Sequence, residues 1–459
     1  MRQESIIMFE TQVARWIQSY RQQCDMQVRE IQRHQSAEWD FDGHRYHHKS
    51  GGFFSVVGAT VFVDGRRQPC FDQPLIDQPE IGILGFLIRR TRGETEIMVQ
   101  AKPEPGNVGL VQIAPTVQAT RSNYMRLHRG KSTPFIDYFC GTRKSALLSD
   151  SLQSEQGTRF LSKFNRNVIA ELPDDDEVSE SSVLKWFSIQ ELLPLLGQDF
   201  QVNTDARSVL ACGPWQRFAS GNKPFGRWLG KGGLGEALIR SYETPEQSSA
   251  SPTSEIVERL HRLQNTSQFV TLSLSLPELI DWEMTDKAIR PLNGTSLEVR
   301  QYAVDSTDRE VNHWSQPLIA SCIEGLAILF CQEKGGVLHF LFNCRAEIGF
   351  RECFEYGPTI QDLGDARFIM PSLGEKESEL KDLLGRSTEL FSSLQSDEGG
   401  RFFRCISRYS VHMLDKDEVI DLGQSLSWFT LRQIEFLVKQ PGFFSNEARS
   451  LISMLLAYL

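Results

Sequence analysis

The sequence has little positive charge and no long apolar run. Lysine and arginine total 49 against 59 aspartate and glutamate, a formal net charge of -10. Proteins that bind the nucleic-acid backbone usually carry a clustered cationic surface. No run approaches the length needed to cross a bilayer, and the opening MRQESIIMFETQ lacks the apolar core of a signal peptide. We therefore expect a soluble, cytoplasmic protein with neither nucleic acid nor a membrane as a partner.

Cysteine pairs at metal-binding spacing are also lacking. The chain has nine cysteines, an odd number, and none forms a Cys-x-x-Cys pair. In a large chain this favours buried, reduced thiols over a disulfide framework. His44, His47 and His48 lie close together, but no cysteine or acidic residue stands at a matching ligand spacing. The sequence therefore predicts no metal site.

A long internal repeat is the main feature that is present. With a shift of 243 positions, QPLI at 73–76 pairs with QPLI at 316–319, and PTVQ at 115–118 pairs with PTIQ at 358–361. With a shift of 242, SLQSEQGTRF at 151–160 pairs with SLQSDEGGRF at 393–402. A repeat of this length indicates a duplicated domain and not a solenoid. We predict modules at residues 1–213 and 255–459.

The segment between the copies, residues 214–254, is rich in glycine, serine and proline, which predicts a connector. Gly230, Gly232 and Gly235 match the dinucleotide pattern G-x-G-x-x-G. No apolar strand leads into them, as that motif requires. A turn is the better interpretation.

Each copy reads as strands followed by a helix. The stretches GFFSVVGATVFVDG, IGILGFLIRR and EIMVQAK are typical of strands. In VGLVQIAPTVQ, strict alternation predicts one strand with Val111, Ile113 and Val117 on its apolar face. The second copy keeps this parity.

The segment SLQSEQGTRFLSKFNRNVIAE is predicted to be a helix. Arg159, Lys163 and Arg166 would form a basic stripe on it, and the second copy keeps Arg401, Arg404 and Arg408. Such a stripe could receive a diphosphate through charge-assisted hydrogen bonds. Periodicity alone favours the alternative, a solvated helix face.

These motifs carry a family resemblance. EPGNVGLVQIAPTVQATRSNY, SLQSEQGTRF with NRN, and VNTDARSVL at 202–210 closely resemble the nucleoside-diphosphate-hexose 2,3-dehydratases. The resemblance implies an α+β fold of tandem Nudix-hydrolase-like modules in a homodimer. It also implies a lyase that removes the C2 hydroxyl of a nucleotide-linked 4-keto-6-deoxyhexose, usually dTDP-4-keto-6-deoxyglucose.

The implied reaction needs no cofactor. The C4 ketone acidifies the C3 proton, so a base can form an enolate and an acid can assist departure of the C2 hydroxyl. The product is a 3,4-diketo-2,6-dideoxy sugar, so oxidation at C3 balances reduction at C2. A downstream NADPH-dependent 3-ketoreductase is the expected functional partner.

The resemblance also suggests the site residues. The acid–base candidates are Glu104, Tyr124 and His128, because their side chains can transfer protons. The remaining matched residues are predicted to bind substrate: His48, Lys102, Asn107, Gln112, Thr116, Gln118, Thr120, Ser122, Asn123, Gln153, Glu155, Gln156, Arg159, Lys163, Asn165, Arg166 and Asn167.

The second copy retains fewer of these motifs than the first. Asn107 is replaced there by Phe350, and ATRSNY has no counterpart after Gln361. We expect it to lack catalysis and to keep at most a second pocket, formed by Arg345, Glu347, Thr359, Gln361 and Arg401. Two alternatives stay open: an inactive sugar-nucleotide-binding or accessory protein, and a Nudix-type hydrolase. The absence of the acidic REUxEExGU motif disfavours the hydrolase.

Overall fold

The structure, a computed structural model, describes residues 11–63, 70–124, 133–267, 269–293, 297–307, 311–363 and 371–459. Strands and helices alternate along the chain, and the strands form several sheets. The predicted α+β class is confirmed. No helix in these ranges is long and apolar enough to cross a membrane.

The first copy and the connector contain β1 to β12 and α1 to α7. The strands are β1 (Gln27–Ile31), β2 (Trp39–Phe41), β3 (Tyr46–His48), β4 (Ser55–Phe62), β5 (Phe71–Asp77), β6 (Gly82–Thr91), β7 (Glu94–Pro103), β8 (Val111–Ala114), β9 (Val117–Ala119), β10 (Ala146–Ser154), β11 (Phe164–Glu171) and β12 (Leu184–Ser188). The helices are α1 (Gln12–Gln23), α2 (Arg121–Tyr124), α3 (Asp137–Cys140), α4 (Ile189–Leu192), α5 (Thr204–Ala211), α6 (Trp215–Phe218) and α7 (Gly233–Glu243).

The second copy contains β13 to β25 and α8 to α11. The strands are β13 (Val270–Leu274), β14 (Trp282–Met284), β15 (Ala288–Pro291), β16 (Leu297–Asp305), β17 (His313–Ser321), β18 (Gly325–Lys334), β19 (Val337–Ala346), β20 (Phe354–Gly357), β21 (Ile360–Asp362), β22 (Thr388–Ser396), β23 (Phe402–Phe403), β24 (Ile406–Met413) and β25 (Leu426–Phe429). The helices are α8 (Thr253–Thr266), α9 (Pro371–Leu384), α10 (Leu431–Leu437) and α11 (Asn446–Leu455).

The two copies repeat the same large sheet. In the first copy its order is β10-β11-β6-β7-β12, with β8 beside β7 and β9 beside β6; in the second it is β22-β24-β18-β19-β25, with β20 beside β19 and β21 beside β18. In each sheet one neighbouring pair is parallel, β11 with β6 and β18 with β24. The duplication seen in the sequence is therefore a duplication of topology.

The smaller sheets exchange strands between the copies. Strand β1 of the first copy pairs with β16 of the second, from Gln27 opposite Asp305 to Ile31 opposite Gln301. Strand β13, the counterpart of β1, pairs with β4 of the first copy, from Val270 opposite Phe62 to Leu274 opposite Gly58. Each copy thus completes the other's sheet.

The predicted strands β4, β6 and β7 are confirmed, but the continuous strand through 109–118 is wrong. The chain forms β8 on β7 and β9 on β6, with Pro115 and Thr116 between them. Thr116 Oγ1 donates to Met98 O at 2.5 Å and accepts from Leu87 N at 3.0 Å, which holds the break in place. Val117 consequently packs in a different apolar cluster from Val111 and Ile113.

The predicted helix over 151–171 is also wrong, because the segment forms the antiparallel strands β10 and β11. Gln153 lies opposite Asn165, and β11 pairs on its other side with β6. Arg166 is bound to Asp150 across the two strands at 2.6 Å, while Arg159 and Lys163 lie in the loop between them. The helical spacing of the apolar residues could not reveal the pairing with a distant strand, and pairing decided the structure.

The connector is partly helical. Gly230 and Gly232 have positive φ angles of 74° and 69° in the turn before α7. Among the described residues no strand leads into this turn, so its interpretation as a turn is confirmed. Ser241 Oγ donates to Leu338 O at 2.6 Å and attaches α7 to β19.

Candidate active site

A buried carboxylate lies where β7 leaves its sheet. Glu104 follows Pro103, the last residue of β7, and its side chain is only 2% exposed. Lys102 Nζ donates to Glu104 Oε1 at 2.6 Å, and Gln118 Nε2 donates to the same oxygen at 3.1 Å. The adjacent cation and amide offset the cost of burying this charge. Glu104 is therefore held in one position at the centre of the first copy.

Helix α5 adds a second buried acid. Its N-cap Asn203 accepts from Ala206 N at 2.8 Å and donates through Nδ2 to Gln118 Oε1 at 3.1 Å. This contact brings Asp205, in the first turn of α5, toward Glu104. Burial, then the nearby negative charge of Glu398, raises the pKa of Asp205 well above its usual value.

Strands β10 and β11 bring Glu155, Lys163 and Asn165 to the same centre. Asn165 Nδ2 donates to Glu155 Oε1 at 2.7 Å, and Lys163 Nζ donates to the main-chain oxygen of Glu80. Burial, then the charge of Glu398, raises the pKa of Glu155. The same burial lowers the pKa of Lys163. Glu155, whose pKa is raised to about 7, is therefore a candidate for proton transfer near neutral pH.

The second copy closes this centre with its loop 397–405. Gly106 N donates to Gly399 O, and Arg404 N donates to Gly106 O, both at 2.8 Å. A Cβ on Gly106 would lie 1.6 Å from Phe402 O, so only glycine permits this approach. The loop brings in Glu398, a partly exposed acid whose pKa is raised by burial and by Glu104.

Arg401 lies in the same loop. Its guanidinium donates to Gln78 Oε1 at 3.1 Å and lies 4.2 Å from the ring centroid of Phe54. Arg401 was predicted to belong to a second pocket. The structure places it against side chains of the first copy, next to Glu398 in the loop.

The second copy has an equivalent centre around Glu347. Gln361 Nε2 donates to Glu347 Oε1 at 2.8 Å, as Gln118 does to Glu104. Here the first copy supplies the closing loop: Gly349 N donates to Gly157 O, and Ser162 N donates to Gly349 O, both at 2.7 Å. Burial, then the charge of Glu447, raises the pKa of Glu347. Each centre is thus assembled from both copies.

Gln156 and Arg159, predicted for the first site, lie with that loop near the second centre. Gln156 Nε2 donates to Asp397 Oδ1 at 3.0 Å, and the charge of Arg159 lowers the pKa of the same carboxyl. Burial outweighs this effect and raises the pKa of Asp397 to about 6. With the shift of 242, Gln156 and Arg159 are the counterparts of Glu398 and Arg401, which lie at the first centre.

Several other predicted binding residues stabilise the framework. Gln112 donates to Ser396 Oγ at 2.7 Å, Asn167 to Ser208 Oγ at 2.8 Å and Gln153 to Val438 O at 2.9 Å. Asn107 is buried beside Glu104, with Nδ2 3.4 Å from Oε2. Thr359 repeats the role of Thr116 in the second copy.

The remaining candidates lie at the edges. Tyr124 is half-buried, and burial raises its pKa, with Glu80 among its charged neighbours. His48 Nδ1 is 2.7 Å from Ser50 Oγ, and its ring lies 4.5 Å from that of Phe53. Thr120 is half-buried after β9. His128 and the side chains of Ser122 and Asn123 lie outside the described residues.

Sequence reasoning missed Asn203, Asp205 and Glu398. The signal was present, since the shift of 242 aligns VNTDARSVL at 202–210 with FSNEARSLI at 444–452 and keeps an acid at the fourth position. Glu398 lies within the recognised repeat SLQSDEGGRF at 393–402, but it is not among the predicted site residues. Within the described ranges, no group of three His, Cys, Asp or Glu side chains is arranged to hold a metal ion.

Comparison with known proteins agrees with the motif resemblance. The family model described as NDP-hexose 2,3-dehydratase matches residues 10–212 and again 253–455. A dTDP-4-dehydro-6-deoxy-alpha-D-glucopyranose 2,3-dehydratase of Saccharopolyspora spinosa is 34% identical over 91% of this chain and 85% of its own. Proteins of the same name from Amycolatopsis orientalis and Streptomyces violaceoruber are 32% and 33% identical, over 96% and 88% of this chain and 89% and 87% of their own. The chain belongs to the NDP-hexose 2,3-dehydratase family.

Proposed function

We propose that this lyase removes water across C2 and C3 of dTDP-4-keto-6-deoxyglucose and forms a 3,4-diketo-2,6-dideoxy sugar nucleotide. The substrate is the one named for the three relatives. The observation that carries the proposal is the arrangement of the first centre. Glu104 is bonded to Lys102, and the partly exposed Glu398 lies close enough to Lys102 and Lys163 to interact with their charges. Such a centre holds both an ionised and a protonatable carboxyl.

Glu104 is our candidate for the base. Its bond with Lys102 at 2.6 Å favours the ionised carboxylate that must remove the C3 proton. The electrons of that C–H bond form an enolate toward the C4 oxygen, and a nearby cation stabilises the developing charge. Lys102, Lys163 and Arg401 are cations that act at this centre.

Glu398 is our candidate for the acid. Its raised pKa keeps a larger fraction of the carboxyl protonated at neutral pH. Its proton passes to the departing C2 hydroxyl, which leaves as water, and the resulting enol moves its proton to C2. No electron acceptor is needed for this sequence. Tyr124 and His128 remain proposals for the same two proton transfers.

The second centre is proposed to be non-catalytic. Gln156, an amide, occupies the position equivalent to Glu398, and Cys405 occupies the position equivalent to Lys163. An amide cannot transfer the proton that a carboxylic acid can. The second copy then contributes to the reaction through its loop 397–405 at the first centre.

We propose the finer architecture on the same evidence. Tandem Nudix-hydrolase-like modules at 1–213 and 255–459, joined by 214–254, are supported by the repeated sheet order and by the two matched stretches. Assembly as a homodimer is part of the proposal. So is coupling to an NADPH-dependent 3-ketoreductase, because a 3,4-diketone is reactive and benefits from immediate reduction.

The test is incubation of the metal-stripped protein with dTDP-4-keto-6-deoxyglucose, a 3-ketoreductase and NADPH, followed by proton NMR and mass spectrometry. Loss of water with trapping of a 2,6-dideoxy-4-keto sugar is the expected result. Release of dTMP would indicate a hydrolase instead. Unchanged substrate, with the reductase active on a known dehydratase product, would contradict the proposed substrate.

A further inference from the structure

A cavity of about 540 Å³ is lined by residues of both copies, none of which is among the side chains assigned to the Glu104 centre. Its walls are mainly apolar and come from β10 and β11 of the first copy and from α8, α10 and the segment after α10 of the second. They include Leu152, Phe164, Leu260, Leu437 and Phe443. Cavities of this size and lining commonly hold small molecules.

A single buried carboxyl lines this apolar space. Glu355 is 3% exposed, and Ser154 Oγ donates to its Oε2 at 2.6 Å. Its Oε1 lies beside Gly442, 3.3 Å from where a Cβ on that glycine would stand. Burial raises the pKa of Glu355 to about 8, against the nearby positive charge of Arg449. His261, Arg351 and Glu352 are the other titratable or charged residues lining the cavity.

The equivalent positions of the first copy carry larger side chains. Arg21, the counterpart of Gln264, donates from Nε to Val111 O at 2.8 Å and from Nη2 to Phe200 O at 2.5 Å. Gln264 Nε2 makes only the first of these bonds, to Phe354 O at 3.0 Å. Phe200 corresponds to Gly442, and both have positive φ angles, 54° and 60°.

The two copies therefore differ in three matched ways. The second has the shorter Gln264 in place of Arg21, Gly442 in place of Phe200, and the carboxyl Glu355 in place of the amide Gln112. The first two changes remove bulk at the positions that border the space, and the third places an ionisable group there. Substitutions that accumulate at random after loss of function are not expected to fall together around one cavity.

We propose that this cavity binds a small, apolar molecule that carries a protonated amine. The amine would donate to Glu355 and form a charge-assisted hydrogen bond away from bulk water. The apolar body would lie against Phe164, Leu260 and Phe443, which supply the hydrophobic part of the binding free energy. This site is distinct from the proposed substrate site and does not depend on the proposed reaction.

Tryptamine is a suitable probe, because it combines an aromatic body with a flexible primary amine. Isothermal titration at about pH 9, where the carboxyl of Glu355 with its pKa of about 8 is ionised and a primary amine is still protonated, should detect one tryptamine site per chain. Binding of indole-3-propionate, which has a carboxylate instead of the amine, should be much weaker. Glu355→Gln should weaken tryptamine binding by about tenfold or more, because the amide still accepts a hydrogen bond but cannot supply the negative charge that pairs with the ammonium. A thermal melt of each variant verifies that it is folded.

Gly442→Phe and Gln264→Arg restore the residues of the first copy and should each abolish binding by filling the space. The two substitutions act from different elements, so one folded variant is enough for the test. Equal tryptamine binding by wild type, Glu355→Gln and the folded filling variant would overturn the inference. Absence of tryptamine binding by the wild type would overturn it as well.

Discussion

Arg207 and Arg449 are equivalent residues of the two copies, and each guanidinium reaches into the helix of the other. Arg207 Nε donates to Ser450 Oγ at 3.3 Å, and Arg449 Nε donates to Ser208 Oγ at 2.7 Å. Both side chains are fully buried. Arg207 also binds Ser396 O at 3.2 Å, and Arg449 binds Ser154 O in the corresponding way. The pair joins α5, α11 and the ends of β10 and β22.

Replacement of Arg449 is expected to change the ionisation of Glu155 at the first centre. Arg449→Met removes a positive charge that lowers the pKa of Glu155, so that pKa should rise further. The pH profile of kcat should shift to higher pH. Arg207→Met is the comparison, because the carboxyls that interact with Arg207 are Asp397 and Asp205 and do not include Glu155. Each variant should lose about 3 kcal/mol or more in unfolding free energy, since several bonds to a buried charged group disappear. Identical pH profiles for the two variants would contradict the role of Glu155 as a proton-transfer group.

Glu398→Gln should lower kcat by roughly a hundredfold to ten-thousandfold, the usual contribution of a general acid or base. The amide keeps the shape of the side chain but cannot supply the proton. Steady-state kinetics in the coupled ketoreductase assay provide the measurement. Glu324→Gln is the control, because Glu324 is half exposed and pairs with Arg408 at 3.2 Å on the surface. A kcat for Glu398→Gln close to that of the control would remove Glu398 from the mechanism.

Gly106→Ala should displace the loop 397–405, because its Cβ would lie 1.6 Å from a main-chain oxygen. We expect a loss of several kcal/mol in unfolding free energy, as for other severe steric conflicts, together with loss of dehydration. Gly197→Ala is the control, since a Cβ there meets no atom within 4 Å. Its unfolding free energy should change by only about 0.5 kcal/mol. Denaturant unfolding of both variants gives the comparison.

The stability of the protein should depend on pH through Glu355. Its pKa is about 8 in the folded state and about 4.3 in an unfolded chain. The folded state therefore holds this proton more tightly. The stabilisation is complete below pH about 4 and is lost as the pH rises through about 8.

Melting temperatures between pH 5 and 8 test this dependence. Because Glu355→Gln removes the titrating group, the melting temperature of the wild type should fall more than that of the variant as the pH rises. Parallel curves for the two proteins would show that Glu355 does not titrate in this range.

The sequence predicted what depends on local pattern and on repetition. Strand-like composition between turn signals identified β4, β6 and β7, and the 243-residue shift identified the duplication that both copies of the large sheet display. The motif around Glu104 led to the cluster of Glu104, Lys102 and Gln118. These contacts join residues close together along the chain.

The failures involve contacts between distant residues. The segment 151–171 has helical spacing, yet β11 pairs with β6, more than eighty positions earlier. Glu398 reaches Glu104 only because Gly106 and Gly399 allow two main chains to touch. Gln156 is likewise predicted to bind substrate in its own copy, whereas its side chain contacts Asp397 of the second copy. A linear repeat reveals equivalent residues but not which copy's centre they complete.

The exchange of β1 and β13 has an evolutionary consequence. Two separate, identical chains could make the same exchange, each lending its first strand and its glycine-rich loop to the other. The present chain then has the geometry of a symmetric dimer of two such modules joined into one chain. Fusion released the two loops from having to stay identical, so one could keep Glu398 while its twin became Gln156. An asymmetric enzyme could thereby arise from a symmetric ancestor without losing either half.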